Sequence, residues 1–208
     1  MNPIEILKQI NTAKTHQEVA KLYDKWAKTY DTDLQEIRPG NLGAAYTVDM
    51  FEKYVHHEGM ILDAGAGTGG VGELLHHRGF SNLVGLDISS GMLYEAKKKN
   101  VYTDLRVGIL GEELDFKNDT FDAVISVGLF TLEHPPPPSS FDELIRLTKQ
   151  GGHIVFLLNN NLTNEFKRKM NELEAEGKWE IVETSKDFFP VPKGQPHPGL
   201  RIFVYQTL

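Results

Sequence analysis

Apolar residues fall along the chain in short unbroken blocks rather than in strict alternation. "GMILDAG", "NLVGLD", "LRVGIL", "FDAVISVGLF" and "GGHIVFLLN" each hold about a strand's length of them. Unbroken runs suit strands buried on both faces, and helical or loop patterns separate them, so the blocks predict a parallel sheet with helices on both sides. "GGVGELLHHRG" predicts a helix stopped by Gly79, and "SSGMLYEAKKKN" predicts one that opens on serines and closes on lysines at the negative helix end. After "HPPPPSS", whose prolines run extended, "SFDEL" predicts a capping box with Ser140 as cap and Glu143 as its partner. The helix it opens runs to about Lys149, with Gly151 and Gly152 as the stop. "NLTNEFKRKMNELEAEGKWE" places Leu162, Phe166, Met170 and Leu173 on one helical face, and Lys167, Arg168 and Lys169 on a solvated one. "WEIVETSKDF" and "GLRIFVYQTL" are joined only by the proline-rich "FPVPKGQPHPG", which predicts an antiparallel hairpin. The expected fold class is therefore α/β: a seven-stranded, mostly parallel sheet ending in a C-terminal antiparallel hairpin. Residues 1–45 read as an N-terminal helical extension and lid, and 46–208 as the main domain.

Composition narrows the function classes. The chain has 208 residues, 40% of them hydrophobic, enough for one sizeable core. A formal net charge of -7 argues against nucleic acid or an anionic membrane as partner. The absence of cysteine removes disulfides, thiolate metal ligands and a cysteine nucleophile. "MNPIEILKQINTAKTHQEV" has no apolar core of signal-peptide length, and no run reaches the roughly 18 apolar residues of a membrane span. The expectation is a soluble, cytoplasmic monomer.

The candidate chemistry lies in "ILDAGAGTGG", where a buried strand meets a glycine-rich turn. Gly65, Gly67 and Gly70 satisfy G-x-G-x-x-G, which is weak alone because glycine turns also serve packing. The next apolar run ends on Asp87, a strand-tip carboxylate able to accept both hydroxyls of a ribose. Together they indicate an adenosine ligand with a free ribose diol. Three features favour S-adenosylmethionine over a dinucleotide: Asp63 would attract an amino group and repel a pyrophosphate, Gly128 leaves room at the end of its strand, and the terminal hairpin is foreign to the plain dinucleotide fold.

"ILDAGAGTG", "GLDISSGML", "FDAVIS" and "LTKQGGHIVF", preceded by "LYDKWAKTYD", resemble the class I S-adenosylmethionine-dependent methyltransferases over nearly the whole chain. More narrowly, "YDKWAKTYDTDL", "LGEELDFKNDTFDAV", "LTKQGGHIVFLLNNN" and "LEAEGKWE" resemble the methyltransferase-like 27 branch. The resemblance implies a Rossmann-like fold with S-adenosyl-L-methionine as cofactor. It implies that Gly65, Gly67 and Gly69, with Ala64 between strand and loop, carry backbone past the cofactor, while Asp63 approaches its methionine end. Asp87 would take the ribose, Ile88 and Met92 would sandwich the adenine, and Val127 and Gly128 would lie beneath it. The lesser reading of Met92 is an ordinary helix core residue. Where the family has an acidic residue after the third strand, this chain has Leu110 and Gly111; either their backbone groups replace it or adenine selectivity is weaker. Tyr23, Trp26 and Tyr30 stand at helical spacing, as a lid offering cation-π attraction to a sulfonium or as a staple for the N-terminal helix.

Methyl transfer from a sulfonium is a direct displacement that needs alignment and exclusion of water, and a base only if the acceptor must lose a proton first. Glu133 and His134 are the weak candidates for that base, and Asn159, Asn160 and Asn161 could hold an acceptor; the histidine and the asparagines also read as ordinary loop residues. His56, His57, His76 and His77 form adjacent pairs that point apart, so no metal is expected. The expected function is methyl transfer to a small-molecule or protein acceptor. The alternatives are a cofactor-binding protein without transferase activity and a nicotinamide oxidoreductase using the same glycines.

Overall fold

Neighbouring residues of the central apolar blocks face opposite sides of one sheet and both sides are covered, whereas "LRVGIL" supplies an edge strand with Arg106 and Val107 exposed. The computed structural model describes residues 2–37, 42–131, 135–160, 164–189 and 199–208. Its strands are β1 (Ile61–Ala64), β2 (Leu83–Asp87), β3 (Asp104–Val107), β4 (Phe121–Ser126), β5 (Thr148–Asn159), β6 (Trp179–Thr184) and β7 (Leu200–Thr207). They form one seven-stranded sheet in the order β3-β2-β1-β4-β5-β7-β6. β1 to β5 run parallel, while β7 is antiparallel to both β5 and β6, as the hairpin reading expects. The helices are α1 (Pro3–Thr12), α2 (His16–Trp26), α3 (Tyr30–Ile37), α4 (Gly43–Phe51), α5 (Gly70–His77), α6 (Ser90–Lys98), α7 (Ser140–Leu147) and α8 (Asn164–Ala175).

On one face Leu62, Val124, Ile154 and Phe156 pack against Phe141 and Leu144 of α7 and Phe166 and Met170 of α8. On the other, Ile61, Ala123, Ile125 and Val155 pack against Val48 and Phe51 of α4 and Val71 and Leu75 of α5. Phe141 is fully buried, with ring centroids at 4.9 Å from Phe156, 5.1 Å from Phe130 and 5.3 Å from Trp179. No described helix is long and apolar enough to cross a membrane.

Two local expectations are corrected. The cap of α7 is Ser139, whose side chain makes no capping bond, and Ser140 is already helical. Glu143 turns away from the helix start: its Oε1 accepts from the Leu114 amide at 2.7 Å and from Arg146 Nη2 at 2.6 Å. An ion pair within α7, whose two members also bond the Leu114 amide and the Leu114 and Phe116 carbonyls of the loop before β4, has outcompeted the capping box. The helix also ends at Leu147 rather than near Lys149, because Thr148 Oγ1 donates to the Leu144 carbonyl at 2.7 Å and the chain pairs at once with Phe121. Gly151 and Gly152 therefore sit inside β5, in a bulge. Gly151 has φ 77°, and a Cβ on Gly152 would lie 2.6 Å from the Asp122 carbonyl oxygen. The glycines serve close approach of backbone, not helix termination.

Ahead of the sheet, α1 to α3 close a small core of their own around Ile6, Ile10 and Trp26. Asn2 Oδ1 caps α1 by accepting from the Ile4 amide at 2.9 Å, and Thr15 Oγ1 caps α2 by accepting from the Glu18 amide at 3.2 Å.

Candidate functional site

The parallel strands end on the side where α1 to α3 sit, and between them lies a cavity of about 570 Å³. Its floor is Gly65 and Gly67 after β1, Leu86, Asp87 and Ile88 at the tip of β2, Gly108 to Leu110 after β3, and Val127 to Leu129 after β4. Carboxyl ends of neighbouring parallel strands are where ligands bind in open α/β sheets. In the turn after β1, Gly65, Gly67 and Gly69 have φ of 85°, 54° and 88°, a region costly for other residues. At Gly67 a Cβ would meet nothing within 4 Å, so the space beside it is open.

Asp87 organises this floor. Its Oδ2 accepts from the Gly67 amide at 2.8 Å and its Oδ1 from the Ser89 amide at 2.9 Å, tying the glycine loop to the start of α6. Burial raises its carboxyl above the ordinary carboxylate range, and the amides of Ser89 and Gly67 oppose that rise. Asp63 is fully buried behind the loop: Oδ2 accepts from the Tyr102 hydroxyl at 2.7 Å, and Oδ1 has no hydrogen-bond partner among the described residues. Burial pushes its carboxyl up to about 7, against the Tyr102 bond.

The roof comes from the N-terminal helices, with Ala13 to His16, Val19, Tyr23 and Tyr30 on the cavity wall. Hydrogen bonds hold it down. Asp24 Oδ1 accepts from Ser89 Oγ and from the Gly91 amide, both at 2.7 Å. Thr68 of the glycine loop donates to Asp31, and Lys99 bridges Asp31 at 3.3 Å and Glu73 at 3.0 Å. Trp26 stands behind the wall, buried, T-shaped on Tyr30 at 4.7 Å and donating through Nε1 to Asp33 at 2.7 Å.

Of the residues singled out in the sequence, Tyr30, Gly65, Gly67, Asp87, Ile88, Met92, Leu110, Val127 and Gly128 line the cavity. Trp26, Asp63, Ala64, Gly69 and Gly111 do not. Glu133, His134 and Asn161 lie outside the described residues, and Asn159 and Asn160 are not on the wall. Lys14, His16, Val19, Pro135 and Pro136 were missed. The signal for the first three was "THQE", a capping pattern at Thr15 and Glu18 that starts α2 at the cavity rim. Among the described residues no three His, Asp or Glu side chains gather as a metal site.

A methyltransferase-domain family matches residues 61–152, which carry the glycine loop, Asp87 and the strand ends of the cavity floor. With this sheet order and this floor, the chain belongs to the class I S-adenosylmethionine-dependent methyltransferases. It is similar to methyltransferase-like protein 27 of Homo sapiens, 34% identical over 169 residues that cover 76% of this chain and 66% of that one. The chain spans 55% to 66% of the length of the first curated relatives it matches. In solved structures it is similar to a TehB-like SAM-dependent methyltransferase from Corynebacterium glutamicum, with TM-score 0.65, 19% identity and coverage of 89% and 98% of the two chains. It is also similar to the [4+2]-cyclase SpnF, with TM-score 0.70, 17% identity and coverage of 94% and 97%. These two likenesses show the fold, and the cyclase illustrates that the fold alone does not set the reaction.

The residues present fit S-adenosylmethionine. The open cradle at Gly67 accommodates backbone approach, Asp87 offers a carboxylate at the wall, and Asp63 holds an unpartnered buried oxygen behind it.

Proposed function

We propose that the chain transfers a methyl group from S-adenosylmethionine to a small-molecule or protein acceptor. The observation that carries this reading is the joint placement of Gly67, Asp87 and Met92 on one cavity under a bonded roof, in a chain of this family. When bound, the cofactor supplies an electrophilic methyl group. Gly65 and Gly67 let the backbone lie against it, Asp87 accepts from the ribose hydroxyls, and Ile88, Met92 and Leu110 enclose the adenine in apolar surface. Tyr23 and Tyr30 present aromatic faces to a cationic centre, worth about 0.5 to 2 kcal/mol. The roof excludes water, and alignment supplies the main acceleration.

In this reading the N-terminal unit, 1–45, acts as the lid over 46–208, and the protein works as a cytoplasmic monomer. The hydrogen bonds of Asp24 and Asp31 support the lid assignment. Calorimetric titration with S-adenosylmethionine, S-adenosylhomocysteine and NADH, followed by release of S-adenosylhomocysteine in the presence of cell-extract fractions, tests it. Micromolar binding of both sulfur ligands and turnover are expected. Binding without turnover in any fraction would favour a cofactor-binding protein, and binding of NADH alone would overturn the reading.

A further inference from the structure

Tyr102, on the approach to β3, lies against three glycines, Gly69, Gly72 and Gly85. A Cβ on Gly72 of α5 would lie 2.3 Å from its ring and hydroxyl, one on Gly69 3.0 Å from its Cε2, and one on Gly85 of β2 3.2 Å from its Cδ1. The ring thus wedges between the glycine loop, α5 and β2, where a side chain on any of the three glycines would crowd it. At the end of that wedge its hydroxyl donates to Asp63 Oδ2 at 2.7 Å and accepts from the Gly72 amide at 3.2 Å. Nothing else among the described side chains bonds Asp63, whose other oxygen is buried and unpartnered.

We infer that Tyr102 is a positioning residue: acting through Asp63, it sets the charge behind the glycine loop and makes affinity for an adenosine ligand with an amino-acid tail depend on pH. The inference rests on the proposed function, since a cationic amino group is what would reward an ionised Asp63. A buried carboxylate survives only with donors, and here Tyr102 supplies the side-chain donor while the Gly72 amide at the start of α5 adds a second favourable dipole. The opposing neighbour is Asp87 at the tip of β2, whose negative charge favours the protonated acid. Farther out along the loop, Thr68 carries Asp31, whose charge Lys99 balances together with Glu73. These groups leave Asp63 titrating near neutrality rather than fixed in either form.

Titrations of the full chain with S-adenosylhomocysteine and with 5′-methylthioadenosine, which lacks the amino-acid tail, between pH 6 and 8 test this. The wild type should bind S-adenosylhomocysteine about tenfold more tightly at pH 8 than at pH 6, the span expected when one group must lose its proton near pH 7. Affinity for 5′-methylthioadenosine should stay flat. Tyr102→Phe removes the donor and should move the rise to higher pH, a change that loosened packing alone would not make. Asp63→Asn should bind at the low-pH wild-type level throughout, and it tests the idea even if the Tyr102 variant fails to fold. A flat profile for S-adenosylhomocysteine in the wild type, or an unmoved profile in folded Tyr102→Phe, would overturn the inference while leaving the cofactor assignment standing. Failure of both ligands to bind at any pH would overturn the functional reading and this inference with it.

Discussion

Asp24→Ala tests whether α1 to α3 are a lid held by side chains or a fixed part of the sheet domain. Asp24 joins α2 to the first turn of α6 by accepting from Ser89 Oγ and the Gly91 amide at 2.7 Å each. The approach is close enough that a Cβ on Gly91 would lie 2.8 Å from the Asp24 Cα, so the two helices meet only because that position is glycine. Hydrogen bonds to a charged acceptor are worth about 1.5 to 3 kcal/mol when shielded, but Asp24 is exposed, which reduces the pair to roughly 1 to 2 kcal/mol in total. Ser89 Oγ keeps its role as acceptor for the Met92 amide at 3.0 Å, so α6 retains its cap and the loss falls on the lid. At about 1.4 kcal/mol per decade, the opening equilibrium of the lid should rise roughly 5- to 30-fold. Hydrogen exchange read by mass spectrometry should show that acceleration in peptides from α1 and α2, with β1 and β4 unchanged. Unaltered exchange in α2 would refute the reasoning, and equal acceleration in β4 would mean that the lid is not a separate opening unit.

Other consequences concern the floor. Asp87→Ala should weaken S-adenosylhomocysteine binding by about 1.5 to 3 kcal/mol, because it removes both the ribose acceptor and the tie to the Gly67 amide; unchanged calorimetric affinity in a folded variant would take Asp87 out of the site. Gly67→Val should abolish that binding, since a β-branched residue is strained at φ 54° and its methyls would enter the open cradle; normal titration with an intact circular dichroism spectrum would contradict this. Asp63→Asn should raise the stability of the ligand-free protein at pH 8. A carboxyl lifted to about 7 carries no penalty below its unfolded value, gains one as pH rises from about 4, and bears it in full above 7. The advantage, on the order of 4 kcal/mol at most, should appear as a higher melting temperature at pH 8 and vanish near pH 4; the same difference at both would show that Asp63 is not the titrating group.

Both the sheet and the floor of the site were legible in sequence because each rests on a local signal. Ile61 and Leu62 are apolar in succession since both faces of β1 are covered, Gly67 is glycine because of its backbone angle, and Asp87 ends an apolar run because the strand ends there. Such constraints act within a few residues. Contacts between distant segments leave no comparable trace. Its local spacing makes Glu143 a capping partner, but the Leu114 amide and the Arg146 guanidinium bind it instead; the pair Gly151-Gly152 has the local pattern of a helix stop, but the Asp122 carbonyl of the neighbouring strand takes the room a side chain would need.

For the lid the division is the same. Helical spacing put Tyr23, Trp26 and Tyr30 in one aromatic group, and the rings do meet, but only packing decided that the tyrosines face the cavity while Trp26 turns inward to Asp33. By itself the sequence determined the strands, the helices around them, the glycine turn and the carboxylate at the tip of β2, all of which follow from backbone angles and hydrophobic period. Tertiary structure alone decided which carboxylates became useful: Asp24 and Asp31 as ties for the lid and Asp63 as the partner of Tyr102. Burial, distance and the presence of a donor are properties of neighbours in space, and nothing in the order of residues along the chain records them.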